Sequence, residues 1–297
     1  MNDFVGTQLR GWDAATYRTA SGDPTLRSTV VALAILEAAP DWQRLRARVE
    51  RLTLCVPTLR MRPLFGALGM TAPRLAIDPD FDLDVHLRRY RLPEGGGWQG
   101  LLDDARRMSL TDFDSSRPLW EAALVEGLPD GQAAFLLKLH HSIADGQATV
   151  MMGLSLFEFG PDPDPNEAPA PQAPAAEDVG LRDVTYANVA DNLRRGSDLA
   201  VTVVKGALDL AKGSLLSPKT TWGRALTTVT SIGRVTAVPD GPLSPIMVGR
   251  GTTYRFAAFS LPFAGIRAAA KTVDLSVNDA FMAAIALGMD AYHRRHG

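Results

Sequence analysis

Two adjacent histidines, followed after three residues by an aspartate and a glycine, are the residues of this sequence best suited to chemistry. They are His140-His141 and Asp145-Gly146. An imidazole can act as a general base, removing a hydroxyl or amine proton while that group attacks an acyl carbon. A nearby carboxylate can fix its tautomer, or can hold the loop through an arginine, and glycine permits a tight turn. The spacing therefore predicts one base with local support.

The segments around the histidines indicate which of them can be the base. Residues 135–140 alternate in the manner of a short strand, and residues 147–159 have a helical pattern. Successive strand side chains point to opposite faces, so at most one of the two histidines is expected to serve one cavity. The alternative is purely structural: His140 ends a buried strand, His141 caps it, and Asp145 is the N-cap of the next helix.

Further motifs turn this pattern into a family resemblance. The H-H-x-x-x-D-G run resembles the active-site motif of the CoA-dependent acyltransferase and condensation-domain superfamily. Three other segments occur in the order typical of the bacterial wax ester synthase/diacylglycerol acyltransferase family. They are Phe81-Asp-Leu-Asp-Val-His86, Ser116-Arg-Pro-Leu-Trp-Glu121 with Val125-Glu-Gly-Leu128, and Ser276-Val-Asn-Asp279. The resemblance runs from about Trp12 to the C-terminus.

The resemblance implies an O-acyltransferase that moves a fatty acyl group from acyl-CoA to diacylglycerol or to a long-chain alcohol. By position in the motif, His141 is the base, His140 is its structural neighbour, and Asp145 supports the loop. Gly146 is the glycine of the motif. Acyl-CoA is a substrate, and no cofactor is implied. Two alternatives stay open: acyl transfer or condensation with another acceptor, and a non-catalytic, truncated lipid-binding protein.

Two further motifs carry over with less defined roles. Pro118, Leu119 and Trp120 either support the reaction or form a rigid turn into an apolar strand with Trp120 in the core. Asn278 either lines the acyl channel near a helix N-terminus or faces solvent, with Asp279 completing a capping box that begins at Ser276. For each motif, the first alternative gives the residues a role in the reaction, and the second gives them a role in folding.

The fold implied by the resemblance is α+β, a mixed two-layer sandwich like that of chloramphenicol acetyltransferase. The sequence divides into an N-terminal acyltransferase domain (1–160), a Pro/Ala-rich linker (161–180), a helical connector (181–225) and the start of a second, similar domain (226–297). Family members continue further, and their active site lies in a tunnel between the two domains. We therefore expect a fragment, a truncated gene product or one chain of a two-chain enzyme.

Composition limits the classes of partner. The 297 residues are 46% hydrophobic, and 31 basic residues against 33 acidic ones give a net charge of -2. No excess positive charge is available for nucleic acid. The N-terminus lacks a signal-peptide pattern, and the longest apolar stretch is too short to span a bilayer. We expect a cytoplasmic protein, peripheral at most to the inner membrane or lipid droplets.

Local patterns give the remaining expectations. Residues 29–36 and 253–261 are predicted strands, and residues 81–92 an extended run. Asp41 is expected to cap a helix with a solvated arginine face, and Cys55 is expected in the core. The glycine cluster at 95–100 fits G-x-G-x-x-G but is interpreted as a surface loop, since no βαβ unit surrounds it. Metal binding is not expected, because adjacent histidines diverge.

Overall fold

We describe the chain from a computed structural model. It describes residues 7–9, 11–67, 73–144, 146–158, 160, 167–177, 179–194, 244–249 and 251–296. The chain forms two compact units, Met1–Val203 with Thr252–Phe256 and Val204–Gly251 with Ala257–Gly297. The division after Val203 falls inside the 181–225 segment that the sequence predicts as a connector. The four-part domain assignment stays a prediction.

A four-stranded mixed sheet is the centre of the first unit. Its strands are β2 (Thr29–Leu36), β5 (Leu87–Arg91), β6 (Trp120–Glu126) and β7 (Ala133–His140), in the order β2-β7-β6-β5. β7 pairs antiparallel with β2 and β6, and β5 pairs parallel with β6. A small antiparallel sheet joins β1 (Thr7–Gln8), β4 (Arg74–Ile77) and β3 (Met61–Leu64) in that order. The central strand β7 therefore carries the histidine pair at its end.

Helices pack on both faces of the four-stranded sheet. The helices are α1 (Gly11–Gly22), α2 (Trp42–Cys55), α3 (Leu83–His86), α4 (Gly97–Leu110) and α5 (Gly146–Leu156). Odd-numbered residues of β7 pack with α2 and α5, and even-numbered ones pack with α4. The predicted α+β class is confirmed, and β7 is buried along its whole length because helices cover both of its faces.

Helix α2 forms for the reasons its sequence gives. The side chain of Asp41 accepts a hydrogen bond from the main-chain N–H of Arg44 at 2.8 Å, which satisfies one donor of the first turn. Leu45, Val49 and Leu52 share the buried face at helical spacing. Burying three such side chains contributes roughly 1.5–3 kcal/mol each. The predicted cap and the predicted apolar face are both confirmed.

The arginines of α2 correct one expectation. They form ion pairs rather than a simple solvated face: Arg44 with Glu158, Arg46 with Asp84, and Arg48 and Arg51 with Glu167. Glu158 and Glu167, which follow α5, pair with three of these arginines, so that part of the charged face of the helix is covered. Sequence periodicity marks such a face as polar but does not show what covers it.

Cys55 is exposed, so its prediction as a core residue is wrong. It is the last residue of α2 and lines an open cavity of ≈ 500 Å³. Residues 253–261 form no strand either, since no neighbouring strand in the described part of the chain pairs with them. A strand needs ladder hydrogen bonds from a partner, and a local apolar pattern does not supply them.

Three further segments differ in detail from the sequence expectations. The run 81–92 is not continuously extended, because Asp82 caps the short helix α3 before β5 begins. The glycine cluster is only in part a loop, since α4 already begins at Gly97. Strand β2 has the predicted bounds but is only half-buried, because it lies at the edge of the sheet.

The second unit contains two consecutive helices, Phe263–Thr272 and Val277–His296. The main-chain N–H and hydroxyl of Ser276 donate to the carboxylate of Asp279 at 2.9 and 2.7 Å, and the N–H of Asp279 donates back to the Ser276 hydroxyl at 3.1 Å. In the described part of the chain, no single helix is long and apolar enough to cross a membrane. The pair passes by length and composition only when taken together, with a bend of 96°.

Candidate active site

The main chain holds the two histidines of the motif from opposite sides. The N–H of His140 donates to the carbonyl of Leu119 at 3.0 Å, beside the start of β6. The N–H of His141 donates to the carbonyl of Ser28 at 2.8 Å, just before β2. Alternate N–H groups of a strand point to opposite neighbours, so the ladder of β7 continues one residue past its end. The positions of both Cα atoms are therefore fixed by the sheet.

The side chain of His140 is buried and bonded within its own turn. It is 6% exposed, and its Nδ1 accepts from the main-chain N–H of Ser142 at 3.1 Å and lies 2.7 Å from the Ser142 hydroxyl. The rings of Tyr17 and Phe113 lie 5.2 and 5.8 Å from the imidazole centroid. Because Nδ1 accepts an N–H bond, the proton of the neutral ring is on Nε2.

The pKa of His140 is lowered to about 4, chiefly by burial; Asp112 opposes this shift, and the neighbouring His141 adds to it. Removing an imidazolium from water costs more than removing a neutral imidazole. His140 is therefore neutral at physiological pH, with one edge used by Ser142 and the Nε2 edge left for other contacts. This state suits a fixed hydrogen-bond donor and does not suit a general base, which needs a pKa near the operating pH.

The imidazole of His140 lines an open cavity of ≈ 290 Å³ between α1 and the loop after α4. Its other lining residues are Tyr17, Ala20, Ser21, Phe65, Asp112, Phe113, Ser115 and Leu119. Sequence reasoning missed this cavity, since its walls come from four separate segments and no spacing links them. Only the pairing of β7 with its neighbours brings these side chains together.

His141 has a different environment. Its side chain is half-buried, it does not line the His140 cavity, and in the described part of the chain its buried Nδ1 has no hydrogen-bond partner. Asp145, the predicted support of the loop, lies outside the described residues. Gly146 is the first residue of α5, which follows the turn. The two histidines are thus separated in space, as the strand pattern predicts, and their catalytic roles stay predictions.

Pro118, Leu119 and Trp120 lead into β6. Trp120 is 1% exposed, and its indole N–H donates to the carbonyl of Leu59 at 2.7 Å. Leu119 is buried and supplies the carbonyl that holds His140. Trp120 is therefore a core residue, in agreement with the structural alternative for this motif.

His86 is a buried histidine to which the sequence gives no role of its own. Its Nδ1–H donates to the carbonyl of Trp120 at 2.8 Å, and its ring stacks between Phe81 and Trp120 with centroids 5.4 and 4.8 Å away. Burial lowers its pKa. Two motifs of the family resemblance, the one that ends in His86 and the one that contains Trp120, thus meet in one aromatic stack.

Lys138 fixes the loop that walls the cavity. It is fully buried, and its Nζ contacts Glu121 at 2.9 Å, the Thr111 hydroxyl at 3.1 Å and the carbonyl of Asp112 at 3.3 Å. The ammonium also lies 4.2 Å from the centroid of the Phe113 ring. A buried charge persists only when it is paired and hydrogen-bonded, and Lys138 meets both conditions.

Asn278 and Asp279 lie in the second unit. Asn278 is exposed, and Asp279 is held by Ser276, whose hydrogen bonds lower the pKa of its carboxyl. Their geometry is that of a helix cap, while any role in the acyl channel stays a prediction. In the described ranges, no group of three histidine, cysteine or acidic side chains is arranged to hold a metal ion.

A match to a family gives the class of protein to which the chain belongs. Residues 9–281 match the family described as the wax ester synthase/diacylglycerol acyltransferase catalytic domain. This match covers most of the chain, and the chain belongs to that family. The family resemblance stated from the motifs is confirmed.

Individual relatives agree with this assignment. A Mycobacterium tuberculosis protein, named provisionally as a diacylglycerol O-acyltransferase, is 36% identical over 283 residues, which cover 93% of this chain and 55% of the relative. A second protein from that organism, named as a probable diacylglycerol O-acyltransferase, is 30% identical over 283 residues, 92% of this chain and 55% of its own length. The chain spans about half the length of the curated relatives it matches.

Two solved structures are similar over about half of the chain. The wax ester synthase/diacylglycerol acyltransferase from Marinobacter aquaeolei VT8 is 25% identical with a TM-score of 0.43, over 56% of this chain and 41% of that one. The first condensation domain of the calcium-dependent antibiotic synthetase is 20% identical with a TM-score of 0.44, over 52% and 38%. Scores of this size do not identify a fold, so membership rests on the sequence match.

Proposed function

We propose that this chain belongs to an O-acyltransferase that moves a fatty acyl group from acyl-CoA to diacylglycerol or to a long-chain alcohol, with His141 as the general base. Its membership of the family and the names of its relatives support the reaction class. The observation that carries the choice of residue is the contrast within the pair. His140 is buried, bonded and neutral, whereas His141 is half-buried and free of the His140 cavity.

The proposed reaction needs one base and no covalent acyl-enzyme. His141 accepts the hydroxyl proton of the acceptor through Nε2, because its Nδ1 is buried. The alcohol oxygen forms a bond to the thioester carbonyl carbon, and the carbonyl oxygen becomes an oxyanion. When the carbon–sulfur bond breaks, the imidazolium returns its proton to the CoA thiolate. Acyl-CoA is consumed as a substrate, and the products are an ester and free CoA.

The substrates define where this reaction takes place. Acyl-CoA is water-soluble through its nucleotide, whereas diacylglycerol and long-chain alcohols dissolve in lipid. We therefore place the protein in the cytoplasm, at the surface of a membrane or a lipid droplet. Fractionation of cells that express the tagged protein tests this placement. Recovery of the protein only outside the cells would contradict it.

A transfer assay tests the proposed function. Radiolabelled palmitoyl-CoA is supplied with dioleoylglycerol in one arm and with hexadecanol in the other, using this chain and the longest natural polypeptide that contains it. We expect an ester product in at least one arm and its loss in His141→Ala. His296→Ala, a matched change at an exposed histidine of the second unit, serves as the control. Absence of product with both polypeptides contradicts the proposal and favours a lipid-binding role.

A further inference from the structure

A second cavity lies at the same end of the sheet, between the start of β5 and the loop that leads into β6. It is open, its volume is ≈ 160 Å³, and its lining residues come from 85–88, 113–118 and 120–121. Trp120 in its wall pairs with Leu139, the residue before the histidine pair, but neither histidine of the pair lines the cavity. Pockets for drug-sized ligands begin at about 300 Å³, so this cavity suits a small polar group rather than a lipid chain.

A buried histidine with an unused acceptor forms one wall of this cavity. His86 is 3% exposed, its Nδ1–H donates to the carbonyl of Trp120, and its ring stacks between Phe81 and Trp120. The ring edge that carries Nε2 is therefore the edge left to line the cavity. Burial lowers the pKa of His86, so the ring is neutral and Nε2 holds a lone pair. In the described part of the chain Nε2 has no hydrogen-bond partner, and a ligand that meets it must bring an O–H or N–H donor.

The charged side chains of the lining leave one cation over. The carboxylate of Glu121 pairs with Lys138 at 2.9 Å, and that of Asp114 lies 3.5 Å from Arg117. Arg88 is exposed, and among the described residues it has neither an ion pair nor a hydrogen bond. The pair of Asp114 and Arg117 is also exposed, and such pairs contribute little, so Arg117 can turn to a ligand. Two guanidinium groups at one cavity favour an anion, and phosphate above all, because it accepts two parallel N–H bonds from each.

We propose that this cavity binds glycerol phosphate, with a glycerol hydroxyl donating to His86 Nε2 and the phosphate oxygens accepting from Arg88 and Arg117. Glycerol phosphate carries the required donor and the required anion within one small group. The inference goes beyond the proposed function and does not depend on it, since neither diacylglycerol nor a long-chain alcohol contains a phosphate. Acyl-CoA does carry a phosphate beside a ribose hydroxyl, but the attached nucleoside is too large for a cavity of ≈ 160 Å³.

A saturation-transfer NMR titration of the whole chain at pH 7.5 tests the ligand, with sn-glycerol 3-phosphate as the probe. Methyl phosphate supplies the anion without a hydroxyl, and glycerol supplies hydroxyls without the anion. We expect saturable binding of glycerol phosphate and weaker binding of both fragments. If either fragment binds as tightly as the probe, or if probe binding does not saturate, the proposal is overturned. Displacement of the probe by an equal concentration of CoA also overturns it, because the cavity would then serve the acyl donor.

Two variants locate the binding. Arg88→Gln removes a charge-assisted hydrogen bond at an exposed strand position, and we expect the Kd of glycerol phosphate to rise about tenfold. Arg91→Gln, at an exposed arginine of the same strand outside the cavity, is the matched control and should leave the Kd unchanged. His86→Asn keeps a side-chain N–H for the carbonyl of Trp120 but removes Nε2, and the Kd should rise about three- to tenfold. Circular dichroism checks that each variant is folded. Unchanged binding in a folded Arg88→Gln protein, or an equal loss in Arg91→Gln, refutes the assignment.

Glycerol phosphate occurs free and as the headgroup of phosphatidylglycerol, and vesicle flotation separates the two sources. The chain is mixed with phosphatidylglycerol vesicles in one arm and with phosphatidylcholine vesicles in the other. Flotation with phosphatidylglycerol alone, lost in Arg88→Gln and kept in Arg91→Gln, assigns the lipid headgroup. Saturable binding of the free probe without such flotation assigns the free compound. If the free probe does not bind and both variants float like the wild type, the cavity binds neither form and the proposal fails.

Discussion

The end of strand β7 and the turn that follows it place two neighbouring imidazoles in unlike surroundings. His140 is enclosed by aromatic rings and bonded to Ser142, and His141 is half-buried with its main chain tied to Ser28. Two consecutive residues thus have different surroundings: one imidazole is buried and bonded, and the other is half-buried, with an Nδ1 that has no hydrogen-bond partner in the described part of the chain. The comparison shows that two adjacent histidines can occupy different environments, because successive side chains along a strand point to opposite faces.

The largest expected effect concerns His141. Replacing it with alanine in the active polypeptide should lower kcat for acyl transfer by roughly a hundred- to ten-thousand-fold, because a positioned base is lost. The pairing of β7 should survive, since the main-chain bond to Ser28 does not use the side chain. Steady-state kinetics and thermal unfolding measure the two properties. A variant that keeps full turnover would remove His141 from the role of base.

The second effect is a pH dependence of stability that belongs to His140. Burial lowers the folded-state pKa from 6.5 to about 4, so between these values the unfolded chain binds the proton more readily. The free energy of unfolding is therefore unaffected by His140 above pH 6.5. It decreases as the pH falls from 6.5 towards 4, by roughly 3 kcal/mol in total.

Urea unfolding followed by tryptophan fluorescence between pH 4.5 and 7.5 measures this dependence. The free energy of unfolding of His140→Asn should not show the pH dependence that His140 causes. The difference in unfolding free energy between the wild type and this variant should therefore narrow as the pH falls. A difference that stays constant with pH would show that His140 titrates normally, and the contrast between the two histidines would then lose its electrostatic basis.

A smaller effect tests the strand beside the pair. Trp120→Phe leaves the carbonyl of Leu59 without its indole partner and should lower the free energy of unfolding by about 1–3 kcal/mol. Because Trp120 lies in the core, kcat should stay within about twofold of the wild-type value at a temperature where both proteins are folded. A selective loss of kcat with unchanged stability would instead place this tryptophan in the chemistry.

The smallest effect concerns the bond that orients His140. Ser142→Ala removes the hydroxyl 2.7 Å from Nδ1 but keeps the main-chain N–H that also donates there. One remaining bond should hold the ring, and we expect a loss of about 0.5–1.5 kcal/mol in unfolding free energy. Chemical denaturation measures it. A much larger loss would mean that the hydroxyl, rather than the main chain, determines the orientation of His140.

Local features of the fold were predictable from the sequence, and features that depend on distant contacts were not. The Asp41 cap depends on neighbouring residues and was predicted correctly, and the Ser276 cap, one of the two alternatives for its motif, is equally local. The strand at 29–36 has the predicted bounds, although it pairs with residues 133–140. Cys55 and the segment 253–261 were predicted wrongly, because exposure and strand pairing depend on what the rest of the chain places beside them.

The candidate site divides in the same way. Alternation along the strand predicted that the two histidines diverge, and the motif order predicted the family, which the sequence match confirmed. The cavity beside His140 had no sequence signal, since Tyr17, Phe65 and Phe113 come from segments without a shared spacing. Periodicity reports which face of an element is apolar. It does not report which two elements meet.

The position of β7 in the sheet has a consequence for how the protein folds. Residue 29 pairs with residue 140, and residue 36 pairs with residue 133. About a hundred residues therefore separate β2 from its partner strand in the sequence. Closing so long a loop costs entropy before any ladder bond forms, and topologies of this kind fold slowly. During synthesis, the apolar strand β2 leaves the ribosome long before its partner. Strand β7, which ends at the histidine motif, is thus synthesised last among the strands of its sheet, and the sheet can form completely only after that.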